Sequence, residues 1–179
     1  KWTVATLSEQ RTRLAAASAD NKAFFAGGYN VNDKTSDRVD IFDNSTGKWS
    51  TAFLSQKRGE LAATSVGTKV LFAGGVSAIT WVENENPYLT TSYITTSDVV
   101  DIYDTKTNSW STAKLSQPRC RLVAVSVGNK AFFAGGLVSF DGALPPWSSE
   151  MPLVSDVVDI YDYVTNTWTT AKLSEERWG

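Results

Sequence analysis

One spacing recurs along this chain and limits what it can fold into. Trp2, Trp49, Trp110 and Trp168 stand 47, 61 and 58 residues apart, and Arg11, Arg58, Arg119 and Arg177 repeat the same three intervals. A chain with such a period builds one supersecondary unit several times, each burying its apolar surface against its neighbours. The doublets Gly27-Gly28, Gly74-Gly75 and Gly135-Gly136 are spaced 47 and 61, so the length variation falls after the glycines. Between each doublet and a recurring Ser-Asp pair (Ser36-Asp37, Ser97-Asp98, Ser155-Asp156) lie 7, 21 and 18 residues, which accounts for the unequal intervals. The rest of each unit is constant in length.

Each unit reads as four short strands. Leu61 to Val66 and Lys69 to Ala73 are small, apolar or β-branched, as half-buried strands require. They are joined by two-residue turns, Asp20-Asn21, Gly67-Thr68 and Gly128-Asn129, whose residues tolerate the positive φ of a primed hairpin turn. The third strand, Val99 to Tyr103 and its copies, alternates in polarity, and the fourth runs from the Trp through Leu115. Their connections place Gly47, Asn108 and Asn166 where a type I turn with a bulge needs a left-handed residue. No segment sustains a 3.6-residue period with caps. The expected fold is all-β, built of repeated four-stranded antiparallel sheets.

The doublet, together with an aromatic and a Trp separated by six residues (Phe42/Trp49, Tyr103/Trp110, Tyr161/Trp168), resembles the kelch repeat. That resemblance covers the chain apart from the two long insertions and implies blades of a β-propeller. The rival Asp box of sialidases wants Asp, Gly and Trp at two-residue steps, unlike Asp43, Gly47 and Trp49. On this frame residues 1–7 are an orphan outer strand, 8–54 a first blade, 55–115 a second with a long loop at 76–96, 116–173 a third with a long loop at 137–154, and 174–179 the start of a next blade. Three blades do not close a ring that ordinarily has four to eight. The expectation is therefore either a piece of a six- or seven-bladed chain or a ring closed by a second copy.

The repeated Trp and Tyr residues are expected to pack between blades. Asp40, Asp101 and Asp159, inside the third strands, are expected to hydrogen-bond turn or neighbouring-blade backbone rather than a metal. Gly doublets with no helix after them cradle no phosphate. For Arg11, Arg58, Arg119 and Arg177 the plain expectation is hydrogen bonding to carbonyls of an adjacent blade. The kelch resemblance implies a sharper one for positions two residues on: arginines that line the channel mouth and grip carboxylates, here Arg13 and Arg121. Glu60 occupies the equivalent place in the middle repeat, and an alternating Arg/Glu ring suits a mixed-charge or sugar ligand.

Strand alternation puts the sheet-to-sheet links and the loops between second and third strands on one face. That face receives all the length variation and the surplus aromatics: Trp81, Tyr88 and Tyr93 in the first loop, Trp147 in the second. Neither loop holds a Lys or Arg, and together they carry four acidic residues, Glu83, Glu85, Asp141 and Glu150. With a net charge of −2 overall, the remainder is +2, so acidic aromatic loops stand over a more basic scaffold.

The near-neutral balance of 17 Lys+Arg against 19 Asp+Glu lacks the basic field that drives nucleic-acid affinity. No run approaches the 18 apolar residues of a membrane span. The chain has no His, which removes the commonest metal ligand and general base and, with them, the copper site of kelch radical oxidases. One cysteine, Cys120, decides nothing about redox compartment. The Asn44-Ser45-Thr46 sequon leans towards an extracellular setting. The preferred function is a non-enzymatic scaffold recognising a protein or glycan through Arg13, Glu60, Arg121, Trp81, Tyr88, Tyr93 and Trp147, with no cofactor. The alternative is a sugar-processing enzyme of mutarotase-like or lyase-like type.

Overall fold

The computed structural model of the chain describes residues 2–83, 90–138 and 153–177. Its main body is three four-stranded antiparallel sheets. The first is made of β2 (Ala15–Ala19), β3 (Lys22–Ala26), β5 (Arg38–Asp43) and β6 (Lys48–Phe53), with β1 (Arg11–Thr12) and β4 (Tyr29–Asn30) paired beside it. The second holds β7 (Ala62–Val66), β8 (Lys69–Ala73), β11 (Val99–Asp104) and β12 (Ser109–Lys114), and a separate two-stranded ribbon of β9 (Val76–Glu83) and β10 (Thr90–Thr96) follows β8 and precedes β11 along the chain. The third holds β13 (Val123–Val127), β14 (Lys130–Ala134), β15 (Val157–Asp162) and β16 (Thr167–Lys172).

Turn chemistry sets these hairpins locally. Asp20, Gly67 and Gly128 take φ of 49°, 57° and 56°, and Gly47, Asn108 and Asn166 take 67°, 52° and 55°. Asp43, Asp104 and Asp162 brace the outer turns by accepting the N–H groups of Ser45, Lys106 and Val164, each at 2.9 Å. The Gly doublets answer a different need. A Cβ on Gly75, at φ 106°, would stand 2.7 Å from the Gly59 carbonyl oxygen, so no other residue fits where a sheet meets the next link.

The core lies between sheets. Phe24, Val39 and Ile41 of the first sheet meet Val70, Phe72 and Tyr103 of the second, with Trp110 packed against them. Leu71, Val100 and Ile102 meet Ala131, Phe133 and Tyr161 of the third, with Trp168 packed alongside. Trp110 and Trp168 are thus inter-sheet residues, as expected. Trp49 makes the same ring contacts within its own sheet as the other two, to Phe42 and Phe25 at centroid distances of 5.2 and 5.9 Å, but differs in being 41% exposed.

Two expectations are corrected. Residues 2–7, expected as an outer strand, belong to no strand. In each of the three sheets the Trp-bearing outer strand is held by pairing with the third strand, and residues 2–7 have no such pairing. The stretch 76–96, expected as a loop, is mostly the antiparallel ribbon β9–β10, in register from Thr90 opposite Glu83 to Thr95 opposite Ala78. Its β-branched residues on both arms supply the strand preference.

Candidate functional site

The repeated arginines are built into the scaffold. The Arg58 guanidinium donates to the carbonyls of Gly74 and Val99, both at 2.7 Å, and pairs with Asp101, whose other oxygen accepts the Ser55 N–H at 3.0 Å. Arg11 with Asp40 and Arg119 with Asp159 repeat the arrangement. The arginine backbone faces the other way: Arg58 N–H donates to Ser36 O at 3.0 Å, and its carbonyl accepts Gly28 N–H at 2.8 Å. One residue therefore staples two sheets, main chain to the preceding and side chain to the following. Burial pushes the Arg58 and Arg119 pKa down, and the facing aspartates oppose it. These side chains are fully buried and cannot serve a ligand.

Two residues on, Arg13, Glu60 and Arg121 come together. Each takes positive φ, at 51°, 56° and 52°, an uncommon backbone state for residues with a side chain. A backbone relay holds them, with Glu60 N–H donating to Arg13 O and Arg121 N–H to Glu60 O, both at 3.1 Å. The Glu60 carboxylate pairs with Arg13 on one side and with Arg121 on the other, through Nε at 2.5 Å and Nη2 at 3.2 Å. Its side chain is only 6% exposed. Burial pushes its pKa up, but the hydrogen bonds and charges of Arg121 and Arg13 outweigh that and hold it below the usual carboxylate range.

Next to this cluster sits an apolar plug of Tyr29 from β4, Val76 from the start of β9, Cys120 from the link before β13 and Leu137 just after β14. Tyr29 lies against Gly59, where any Cβ would meet its ring, and Arg13 stands 5.9 Å from the ring centroid. Burial, with Glu60 nearby, pushes the Tyr29 hydroxyl well above its ordinary pKa and the Cys120 thiol up to about 12.

Further out on the same face, a cleft of about 460 Å³ opens between the short loop of the first sheet and the root of the ribbon, lined by Asn32, Asp33, Lys34, Lys57, Ser77 and Ile79 among others. Its walls are braced. Asn30 Oδ1 accepts the N–H groups of Asn32 and Lys34 at 3.0 and 3.2 Å, and the Thr35 hydroxyl donates to Ser77 O at 3.3 Å. Lys34 and Lys57 are exposed and make no ion pair among the described residues. The sequence reading missed both, because nothing in the spacing sets them apart from other surface lysines.

The ribbon register puts Trp81 opposite Ser92 and Tyr93 opposite Thr80, so positions 81 and 93 belong to opposite faces of the ribbon. Tyr88 and Trp147 lie outside the described residues. Among the described residues no group of three or more His, Cys, Asp or Glu could hold a metal ion.

No protein-family model matches the chain, and no curated protein sequence matches it. Among solved structures, that of YjhT matches with a TM-score of 0.65 at 16% identity, over 96% of this chain and 48% of that one. The fold is propeller-like. At that identity the likeness speaks of fold alone, and it agrees with an all-β architecture of four-stranded sheets. This chain spans about half the length of the YjhT structure.

Proposed function

We propose that the chain is a non-enzymatic scaffold of the kelch-propeller type, recognising a protein or glycan on the face that carries the sheet-to-sheet links, the β9–β10 ribbon and residues 137–154. One observation carries the reading: the Glu60 carboxylate is captured from both sides by arginines that keep it ionised. A group held so serves as fixed architecture rather than as a proton carrier, which needs a pKa near the working pH. Exposed cations, Lys34 and Lys57, line a cleft of the size that takes a small ligand. They favour a ligand bearing an acidic group, with the aromatic positions Trp81, Tyr88, Tyr93 and Trp147 supplying contact area.

The sugar-processing alternative would centre on Glu60, Arg13 and Arg121 at the channel mouth, so the two readings divide the variants cleanly. An array of immobilised acidic and neutral oligosaccharides, with a peptide library beside it, is screened with the native chain, then with Trp81→Ala, Trp147→Ala and Glu60→Gln. Binding lost with the tryptophans and kept with Glu60→Gln is the expected result. Loss with Glu60→Gln alone, in a variant whose circular dichroism is unchanged, overturns recognition by the loops.

A further inference from the structure

The cleft beside the ribbon runs along a strand edge. Three consecutive residues of β9, Ser77, Ala78 and Ile79, line one wall, and four consecutive residues, Asn32, Asp33, Lys34 and Thr35, line the other. Successive side chains of a strand point to opposite faces, so a wall made of neighbours in sequence is an edge, where main-chain groups are within reach. β9 is paired with β10 on one side. On its other side the bridge between Gly59 and Val76 and the bond from the Thr35 hydroxyl to Ser77 O close the root, and beyond them the described residues place no strand. A strand edge left in this way is a template for a further strand.

The slot is made positive by two residues that the repeat does not require. Lys57 precedes Arg58, whereas Pro118 and Glu176 hold the matching places before Arg119 and Arg177, and Lys34 lies in the loop whose length differs from unit to unit. Their main chain is nonetheless fixed. Lys34 N–H donates to Asn30 Oδ1 at 3.2 Å and its carbonyl accepts Asn30 N–H at 3.0 Å, while the residue after Lys57, Arg58, donates to Ser36 O at 3.0 Å. Both lysine side chains are exposed, and Asp33 alone opposes them among the described residues lining the cleft. No aromatic ring lines it among those residues, so a sugar ring finds no surface there to stack on.

We propose that an extended peptide segment bearing an acidic side chain adds along the free edge of β9, with its carboxylate between Lys34 and Lys57. This rests on the recognition face proposed above and names its ligand as a peptide strand. Main-chain hydrogen bonds to β9 supply the affinity, and the lysines select the acidic residue and set its position along the edge.

Fluorescence polarisation with the native chain tests this, using a short labelled peptide of alternating valine and aspartate. The same peptide with lysine for aspartate, and the aspartate peptide N-methylated at alternate amides, serve as comparisons. The aspartate peptide should bind and the lysine peptide should not. N-methylation, which removes strand hydrogen bonds and keeps every charge, should weaken binding by at least about tenfold. Lys34→Ala and Lys57→Ala should each weaken it by about two- to fivefold, and Lys34→Glu with Lys57→Glu should reverse the preference towards the lysine peptide. Amide hydrogen exchange at residues 77–80 should slow in the complex. Equal binding of the methylated peptide, binding indifferent to both lysines, or no binding of the aspartate peptide overturns the inference. If ligands captured in the array or peptide library are lost with Trp81→Ala and Trp147→Ala but unaffected by Lys34→Glu with Lys57→Glu, the recognition face stands and the strand slot falls; if the native chain captures nothing, both fall.

Discussion

Asp101 belongs to one sheet and ties down the link that arrives from another. One oxygen accepts the Ser55 N–H and the other meets Arg58, with both side chains essentially out of solvent. Removing one partner of a buried pair strands the other charge, whereas replacing both by apolar groups does not. Asp101→Ala should therefore cost about 3–5 kcal/mol in urea unfolding, and Arg58→Met with Asp101→Leu should recover most of it. The sequence showed Arg and Asp recurring, and even the means to pair them, since the separations of 29, 43 and 40 residues differ by the insertion lengths. It did not show that they touch, because contact depends on how links fold over sheets. Glu60 gives a second residue-scale outcome. Its folded pKa is depressed, so its contribution is present above the ordinary carboxylate range near about 4.3 and is lost as pH falls through the folded value. Between pH 6 and pH 3 the urea midpoint of the native chain should fall more than that of Glu60→Gln.

At the scale of elements, strands and tight turns were legible because they answer to local rules: alternation for strands, tolerance of positive φ for Gly47, Asn108 and Asn166. The Gly doublets answer to a neighbour instead. Gly75→Ala combines a φ of 106° with a carbonyl 2.7 Å from the new Cβ, and should lower stability by about 1–3 kcal/mol or more, read from the unfolding midpoint. The ribbon β9–β10 has strand composition in Ile79 to Val82 and Thr91 to Ile94, yet its length relative to the first sheet marks it only as an insertion, and length alone does not separate a ribbon from a loop. Grafting the seven residues 29–35 in place of 76–96 should leave a cooperatively unfolding protein, since the sheet itself does not depend on the ribbon for pairing. Ligand binding, measured on the same array and peptide library, should be lost.

For the whole molecule, stability resides between sheets rather than within them. Trp110 packs into the junction of the first two sheets, 5.1 Å from Tyr103 and 6.1 Å from Phe72 between ring centroids, while the equivalent Trp49 covers an open face. Trp110→Ala should cost about 3–5 kcal/mol, and Trp49→Ala clearly less. Equal losses in calorimetry would mean that repeat position, not burial, sets the contribution. By itself the sequence determined the number of sheets, their strand order and their turns, because periodicity and backbone preference act within a few residues. Only the tertiary structure decided that the repeated arginines are staples, that Glu60 is held by two others across sheet boundaries, and which Trp is covered. Each of those depends on side chains 29 or more residues apart meeting in space, and no local rule carries that information.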